Sequence, residues 1–305
     1  MKQVVVETES SEVKAEARSL GLELLDDLGA VQAVCIRNKK DEENAIKSAT
    51  DKPLVVEFHE QKIIPLENLI AALKGKTKIL VKVNNFKEAK TALETLELGA
   101  DGVVLSTIDP NELKQIASTL TPLPKLNLEE AEITKIKELG MGDRACIDLS
   151  ALMKEGEGFL IGSSSQGMLL VQAEVEQNPF VAPRPFRVNA GAVSLYILSP
   201  GDKTRYLEEL EAGDEALVVA RDGTTRMGNV ARSKIELRPL LLIEARGEGG
   251  VAKALLQNAE TVRVITPKGS KPVTELKPKD GVLVHFERGG RHFGKLVAEE
   301  KMIEK

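Results

Sequence analysis

Five ionisable side chains in the first half of the chain lie at or near the ends of apolar, strand-like runs. They are Glu7, Glu57, Lys82, Asp101 and Asp148. Active sites of parallel α/β folds lie at the carboxyl ends of the strands, so these positions predict acids and a lysine on one rim. Such a group could transfer protons. Each residue taken singly is more often a surface or capping residue, and that interpretation stays open.

A second set of candidates is cationic. Eleven of the fourteen arginines follow residue 150, and arginine is preferred where a carboxylate or phosphate is held by two parallel hydrogen bonds. Arg184 and Arg187 lie in the proline-rich segment Asn178–Gly191, whose prolines stiffen the chain and remove backbone donors. We therefore expect a preorganised loop that presents both guanidinium groups to an anion, with Asn189 near its end. A proline-rich crossover with solvated arginines is the alternative.

A third candidate is the segment 156–167, which is rich in glycine and serine. Gly158, Gly162, Ser163 and Ser164 could bring backbone N–H groups around a phosphate. The glycine spacing does not match a dinucleotide-binding fingerprint, and no long helix follows. A β-hairpin that turns after Ser163 explains the same residues equally well.

Cysteine and histidine spacing does not indicate a metal site. Cys35 and Cys146 each lie in an apolar run, and neither has a second thiol or a histidine at ligand spacing. We therefore predict two buried free thiols, because unpaired cysteine packs well as a small apolar residue, and we predict no bound metal.

The elements that must position these residues divide the chain into two parts. In residues 1–155 short apolar runs alternate with amphipathic segments such as 86–98 and 128–139. This alternation predicts an α/β domain of parallel βα units, either barrel-like or an open sheet. Residues 156–305 lack long helical patterns and predict a β-rich domain instead.

The β-rich part contains an internal similarity. Leu210–Asp214 resembles Leu276–Asp280 at an offset of 66 residues, and Gly223 meets Gly289 at the same offset. We predict two repeated small β units, at about 168–238 and 240–305. The arginine-bearing segment Asn178–Gly191 has no counterpart in the second copy, which favours a functional role for it.

Composition excludes several classes of protein. Apolar residues make up 42% of the 305 residues and charged residues 29%, which suits a folded protein with a sizeable core rather than a disordered chain. The net charge of −5 argues against a nucleic-acid or membrane surface. We expect a cytoplasmic protein that binds a small molecule, and a homo-oligomer is left open.

Five ordered blocks of sequence carry a resemblance to a known family. The blocks are Gly142–Asp148, Gly156–Ser165, Asn178–Val193, Lys203–Leu207 and Lys234–Leu240. Together they resemble the archaeal-type 3-dehydroquinate synthases, the 3-dehydroquinate synthase II family. The resemblance is weaker before residue 140, and this chain lacks the tryptophan-containing first strand that family members often have.

The resemblance implies an enzyme of the shikimate pathway of aromatic amino-acid biosynthesis. NAD would accept hydride from the amine-bearing carbon of 2-amino-3,7-dideoxy-D-threo-hept-6-ulosonate. Hydrolysis of the imine would release ammonia, and an intramolecular aldol step would close the ring to 3-dehydroquinate. Such an enzyme is an NAD-dependent oxidoreductase acting on a CH–NH₂ group.

Under this interpretation the candidate residues receive roles. Arg184, Arg187, Asn189 and Arg205 would hold the substrate carboxylate or other anionic groups. Lys82, Glu57 and Asp148 are the candidate acid and base, with Lys82 acting as the base if desolvation lowers its pKa. The glycines and serines at 158–164 would bind the NAD phosphates.

Two alternatives from other classes stay open. One is a cyclase like the related aminohydroxybenzoate synthase, which acts on a similar amino-keto acid without net oxidation and with a divalent metal. The other is a non-enzymatic binding module built from tandem small β-barrels.

Overall fold

The computed structural model divides into two compact units, Met1–Pro122 and Leu123–Lys305. It describes residues 2–106, 109–120, 123, 125–201, 203–287, 290–292 and 295–297. The predicted boundary at 155/156 lies inside the second unit, after its first strand.

The first unit is a parallel sheet with helices between its strands. The strands are β1 (Gln3–Glu7), β2 (Glu23–Leu24), β3 (Gln32–Ile36), β4 (Leu54–Phe58), β5 (Ile79–Val83) and β6 (Gly102–Ser106). The helices are α1 (Ser11–Ser19), α2 (Lys39–Ser48), α3 (Ile63–Leu73), α4 (Phe86–Glu94) and α5 (Pro110–Leu120). Four of the helices begin after a side chain that accepts a backbone N–H group, as expected for N-caps. These residues are Ser10, Asn38, Asn85 and Asp109.

The strand order is β2-β1-β6-β5-β4-β3, and every pairing is parallel. The parallel pairings confirm the predicted parallel α/β fold. The order is that of neighbouring strands in a six-stranded barrel that lacks the pairing between β2 and β3. The helices cover one face of the sheet. The opposite face carries a small apolar layer made of Val5, Val55, Leu80 and Val104, with Leu25, Leu28 and Val31 packed against it.

The second unit is built from antiparallel strands. They are β7 (Glu129–Leu149), β8 (Glu157–Ser164), β9 (Gly167–Glu174), β10 (Arg184–Ala192), β11 (Tyr196–Ser199), β12 (Lys203–Tyr206), β13 (Glu215–Ala220), β14 (Thr225–Gly247), β15 (Gly250–Gln257), β16 (Arg263–Thr266), β17 (Gly269–Pro272), β18 (Gly281–Phe286), β19 (Gly290–His292) and β20 (Lys295–Val297). Along the sheet the order is β17-β16-β9-β10-β7-β14-β13-β8-β11-β12-β20-β19, with β15 beside β14 and β18 beside β7 and β9. The predicted β-rich region is therefore confirmed.

The helix predicted at 128–139 is wrong. These residues form the first half of β7, which pairs with β14 from Leu149 opposite Val230 to Glu132 opposite Arg246. The local sequence fits a helix, but the pairing with a distant strand buries Ala131 and Ile133 completely. Long-range pairing of this kind overrides local preference.

The predicted repeat stays a prediction. Each proposed copy contains a two-strand hairpin, a turn of 3₁₀ helix and a further strand. In the first copy these are β11, β12, residues Leu207–Glu209 and β13, and in the second they are β16, β17, residues Val273–Glu275 and β18.

In the described part of the chain, no helix is long and apolar enough to cross a membrane.

We predict that Gly158→Ala destabilises the second unit. A Cβ atom at this position would lie 1.8 Å from the carbonyl oxygen of Val171 on the neighbouring strand, so strands β8 and β9 would have to separate. Overpacking of this kind costs about 1–3 kcal/mol, which thermal or urea unfolding would measure. The matched control is Gly269→Ala, because nothing lies within 4 Å of a Cβ atom there. Equal stability of the two variants would contradict the prediction.

Candidate active-site residues

One group of candidate residues lies on the sheet of the first unit. We name Glu7, Glu57, Lys82 and Ser106 the lysine cluster. They occupy the face of the sheet that bears the small apolar layer, since side chains alternate along a strand and Lys82 follows Leu80 by two residues. The structure thus brings together three of the five residues predicted on one rim, Glu7, Glu57 and Lys82.

Lys82 is held as an ammonium group. Its Nζ atom lies 2.8 Å from Oε2 of Glu7, and the Ser106 hydroxyl donates a hydrogen bond of 2.6 Å to the same oxygen. The hydrogen bond to Glu7 and the nearby charge of Glu57 raise the pKa of Lys82. The condition for Lys82 to act as the base, a lowered pKa, is therefore not met, because a paired carboxylate outweighs desolvation.

The lysine cluster borders a cavity of about 280 Å³. Glu7, Glu57 and Lys82 provide its charged groups, and its apolar wall includes Val55 and Val104. Polar groups on an apolar wall are typical of small-molecule sites. A larger cleft of about 500 Å³ borders α3 and α4, but its Lys62 and Glu88 are paired with each other at 2.6 Å.

Another predicted acid, Asp148, lies in the antiparallel unit and does not join the lysine cluster. It belongs to a polar face of the adjacent strands β10, β7 and β14, whose side chains on β10 and β7 alternate with core residues. We name this the arginine face. Its members are Arg187 and Asn189 on β10, Arg144, Cys146 and Asp148 on β7, and Arg232, Lys234, Glu236 and Arg238 on β14.

Two arginines clamp Asp148. Arg187 Nε and Nη2 donate to its two carboxylate oxygens at 2.6 and 2.9 Å, and Arg232 Nε and Nη2 donate to Oδ2 at 3.0 and 2.6 Å. Burial raises the pKa of Asp148, but the hydrogen bonds from both arginines outweigh burial and leave the pKa lowered. Asp148 is therefore an anion at neutral pH, and it orients Arg187.

The prediction that Arg184 and Arg187 lie on a preorganised loop is wrong. Arg184, Arg187 and Asn189 all lie on strand β10, and only residues 175–183 form the connection before it. The strand is possible because Pro185 sits near its beginning, where a missing N–H costs least. Strand pairing fixes these side chains more firmly than a loop would.

The remaining predicted anion ligands are paired within the chain. Arg184 Nε contacts Glu174 at 2.5 Å, and Asn189 donates to the Gln257 side chain at 2.9 Å. Arg205 lies on β12, where Nη1 contacts Asp214 at 2.9 Å. Their roles toward a substrate stay predictions.

Arg144 and Cys146 lie at the centre of the arginine face. Arg144 donates to the Cys146 sulfur and contacts Glu236 at 3.1 Å. The thiol is free, as predicted, and burial raises its pKa although Arg144 opposes this. Arg144 Nε and Asn189 Oδ1 are buried without a protein partner, which marks a place for a further polar group.

The glycine- and serine-rich segment is a β-hairpin, the alternative that the sequence left open. β8 and β9 pair across a turn at residues 165–166. A Cβ atom on Gly158 would lie 1.8 Å from the carbonyl oxygen of Val171, and one on Gly162 would lie 2.5 Å from that of Gly167. Both oxygens belong to β9. Both glycines therefore serve strand packing, and they do not fit a phosphate cradle. Ser163 and Ser164 are half-buried, and their role stays a prediction.

Among the described residues, no group of three or more His, Cys, Asp or Glu is placed to hold a metal ion.

Both units of the chain match domains of a known protein family. The 3-dehydroquinate synthase II N-terminal domain matches residues 2–120, and the C-terminal domain of the same family matches residues 130–305. The chain belongs to the 3-dehydroquinate synthase II family. The resemblance seen in the five sequence blocks is thereby confirmed, and it extends over the first unit, where the sequence signal was weaker.

Curated relatives have similar sequences along most of their length. A 3-dehydroquinate synthase of Methanocaldococcus jannaschii is 45% identical over 310 residues, covering 99% of this chain and 84% of the relative. A 3-dehydroquinate synthase of Methanothrix thermoacetophila is 49% identical over 275 residues, covering 88% and 75%. A 3-dehydroquinate synthase homolog of Aquifex aeolicus is 48% identical, covering 89% and 82%.

This member of the 3-dehydroquinate synthase II family has site residues that sequence reasoning missed. Arg144, Arg232 and Lys234 were not singled out, although Arg144 and Lys234 lie within the recognised blocks. Only strand register shows that they share a face with Asp148. Glu7, by contrast, was selected by the same rule as Glu57, since it ends a parallel strand.

We predict that Asp148→Asn lowers the free energy of unfolding, and that the loss is larger at neutral pH than at pH 3. A carboxyl group with a lowered folded-state pKa stabilises the fold above its unfolded pKa, about 3.9 for Asp, and this stabilisation disappears as pH falls through the folded value. Breaking a buried ion pair costs roughly 3–5 kcal/mol. Thermal unfolding of both proteins between neutral pH and pH 3 would show a gap that narrows below about pH 4.

The matched control is Asp143→Asn, because Asp143 is exposed on the same strand. We expect it to unfold like the parent protein at every pH. A gap between Asp148→Asn and the parent that stayed constant down to pH 3 would contradict the assigned clamp.

Proposed function

We propose that this protein catalyses the NAD-dependent oxidative deamination and cyclisation of 2-amino-3,7-dideoxy-D-threo-hept-6-ulosonate to 3-dehydroquinate. Its family membership and the names of its relatives support an enzyme of this type in aromatic amino-acid biosynthesis. The oxidative deamination and the use of NAD follow from the family resemblance.

The observation that carries the proposal is the excess positive charge of the arginine face. Its members include five cations but only two carboxylates, Asp148 and Glu236. Arg187 and Arg232 both pair with Asp148, but Arg187 is buried, whereas the Arg232 and Lys234 side chains are 58% and 44% exposed. A substrate carboxylate would balance this charge, and a bidentate hydrogen bond from arginine would fix its orientation.

Each cluster, taken within its own unit, offers groups that the proposed reaction uses. The arginine face binds the carboxylate, and Asp148 positions Arg187 rather than acting as a base, since its proton affinity is low. The lysine cluster contributes the groups that exchange protons with carbonyl and hydroxyl oxygens, with Lys82 as a proton donor and Glu57 as an acceptor. NAD would supply the hydride acceptor. Gly158 and Gly162 do not fit its phosphates, so NAD dependence rests on the resemblance alone.

The test of the reaction is direct. The purified chain, mixed with the amino-heptulosonate and NAD⁺, is expected to form NADH, seen at 340 nm, together with equal amounts of ammonia and 3-dehydroquinate. A cyclic product formed without NADH would favour the aminohydroxybenzoate synthase-like alternative. A folded sample whose melting temperature responded to neither compound would favour the binding module.

We predict that Arg232→Ala lowers kcat/KM at least about tenfold, or roughly 1.4 kcal/mol, chiefly by raising KM. The reason is that Arg232 is an exposed cation of the arginine face whose loss leaves the Arg187–Asp148 pair intact. Steady-state kinetics with varied substrate would measure the change.

The control is Arg246→Ala, an exposed arginine on the same strand opposite Glu132. It removes the same charge away from the arginine face, so kcat/KM is expected to stay near the parent value. Equal losses in the two variants would show that net charge, and not this face, attracts the substrate.

A further inference from the structure

The position of Lys82 suggests a role different from that of a proton donor. The side chain is about one-third exposed and borders the 280 Å³ cavity of the first unit. Val55 and Val104 line the same cavity, so the amine meets an apolar wall beside two carboxylates. A methyl ketone combines an apolar end with one carbonyl oxygen, and it matches these surroundings.

The charges around Lys82 favour one kind of intermediate. Glu7 contacts the ammonium nitrogen at 2.8 Å, and the charge of Glu57 acts on the same nitrogen. An iminium nitrogen carries the same positive charge in the same place, so the carboxylates that stabilise the ammonium also stabilise an iminium ion. Glu7, at 2.8 Å, is within reach of the proton that Lys82 must release before its nitrogen attacks a carbonyl carbon. Burial raises the pKa of Glu7, but hydrogen bonds from Lys82 and Ser106 outweigh burial and leave the pKa lowered, so this transfer is unfavourable in the resting pair and limits the rate of attack.

We propose that Lys82 forms a covalent iminium with the ketone carbon of the substrate and so catalyses ring closure. This inference rests on the proposed function, because the ketone at C6 and the methyl group at C7 belong to the proposed substrate. It gives Lys82 a nucleophilic role in the aldol step, separate from hydride transfer at C2.

The step balances without an added oxidant or reductant. Lys82 transfers a proton to Glu7, its nitrogen adds to C6, and loss of one water gives the iminium ion. Glu57, the proton acceptor of the lysine cluster, removes a proton from C7 and gives the enamine. The electron pair of the enamine forms the C7–C2 bond with the carbonyl that deamination has left at C2, and the C2 oxygen takes up the proton from Glu57. Water then hydrolyses the iminium, which restores the C6 ketone and the Lys82 amine.

The test is chemical trapping. The full chain is incubated with the amino-heptulosonate, without NAD⁺, and sodium cyanoborohydride is added to reduce any iminium. We expect a single adduct with the mass of the substrate less one oxygen atom, located by peptide mapping on Lys82. Lys82→Arg is expected to abolish the adduct. Lys62→Arg is the matched control, since Lys62 is also paired with a glutamate, at 2.6 Å, and the adduct is expected to persist in it.

A kinetic measurement separates a covalent role from a structural one. In Lys82→Arg we expect 3-dehydroquinate formation to fall about a hundredfold or more, while NADH formation from the same substrate continues. A variant damaged in its fold would lose both signals together. If Lys82→Arg did not fold, the peptide map of the parent protein would decide the question by itself.

The outcomes for the two proposals are distinguishable. NADH formation without an adduct on Lys82 would overturn the covalent role and leave the proposed reaction intact. An adduct on Lys82 without NADH formation would support the covalent role and contradict the NAD-dependent reaction. Adducts spread over several lysines, and unchanged in Lys82→Arg, would overturn the covalent role.

Discussion

The pairing of β7 with β14 is the constraint on which the second unit depends. It joins two strands of 21 and 23 residues that are far apart in sequence, and it sets the register of every residue on the arginine face. A shift by one residue would turn Arg144, Cys146 and Asp148 to the opposite face of the sheet. The clamp around Asp148 exists only in this register, because Arg187 and Arg232 come from the two strands that flank β7.

The arginine face and the lysine cluster both contain a carboxylate paired with a cation, but the two pairs have different roles. Asp148 is nearly buried and is shared by two guanidinium groups, so it fixes geometry and resists protonation. Glu7 and Lys82 form a single pair that is about one-third exposed on both sides. Solvent weakens such a pair and reaches both of its members. Burial therefore separates a positioning carboxylate from one that can take part in chemistry.

Much of the fold could be predicted from sequence where local patterns determine it. In the first unit the apolar runs and the capping residues Ser10, Asn38 and Asn85 lie within a few residues of the elements they define. Segment 128–139 was predicted wrongly because its conformation depends on β14, about a hundred residues away. The same limit applies to the site. Residues Glu57 and Lys82 are close because neighbouring parallel strands align, whereas the role of Asp148 required knowledge of strand register.

The bulge in β10 has a consequence for how this family can vary in length. The register of β10 against β7 shifts between Asn189 and Gly191, and Gly191 adopts a φ of 106° that few other residues tolerate. Ordinary alternation places Arg187 and Asn189 on the polar side and Val188 and Ala190 in the core. The extra residue then resets the pairing, so that Gly191 lies opposite Ala145 and Ala192 opposite Arg144. Deleting one residue here would invert the alternation on one side of the bulge, whereas the connection at 175–183 can lengthen at small entropic cost. Insertions and deletions in natural variants and engineered libraries are thus expected to collect before Arg184.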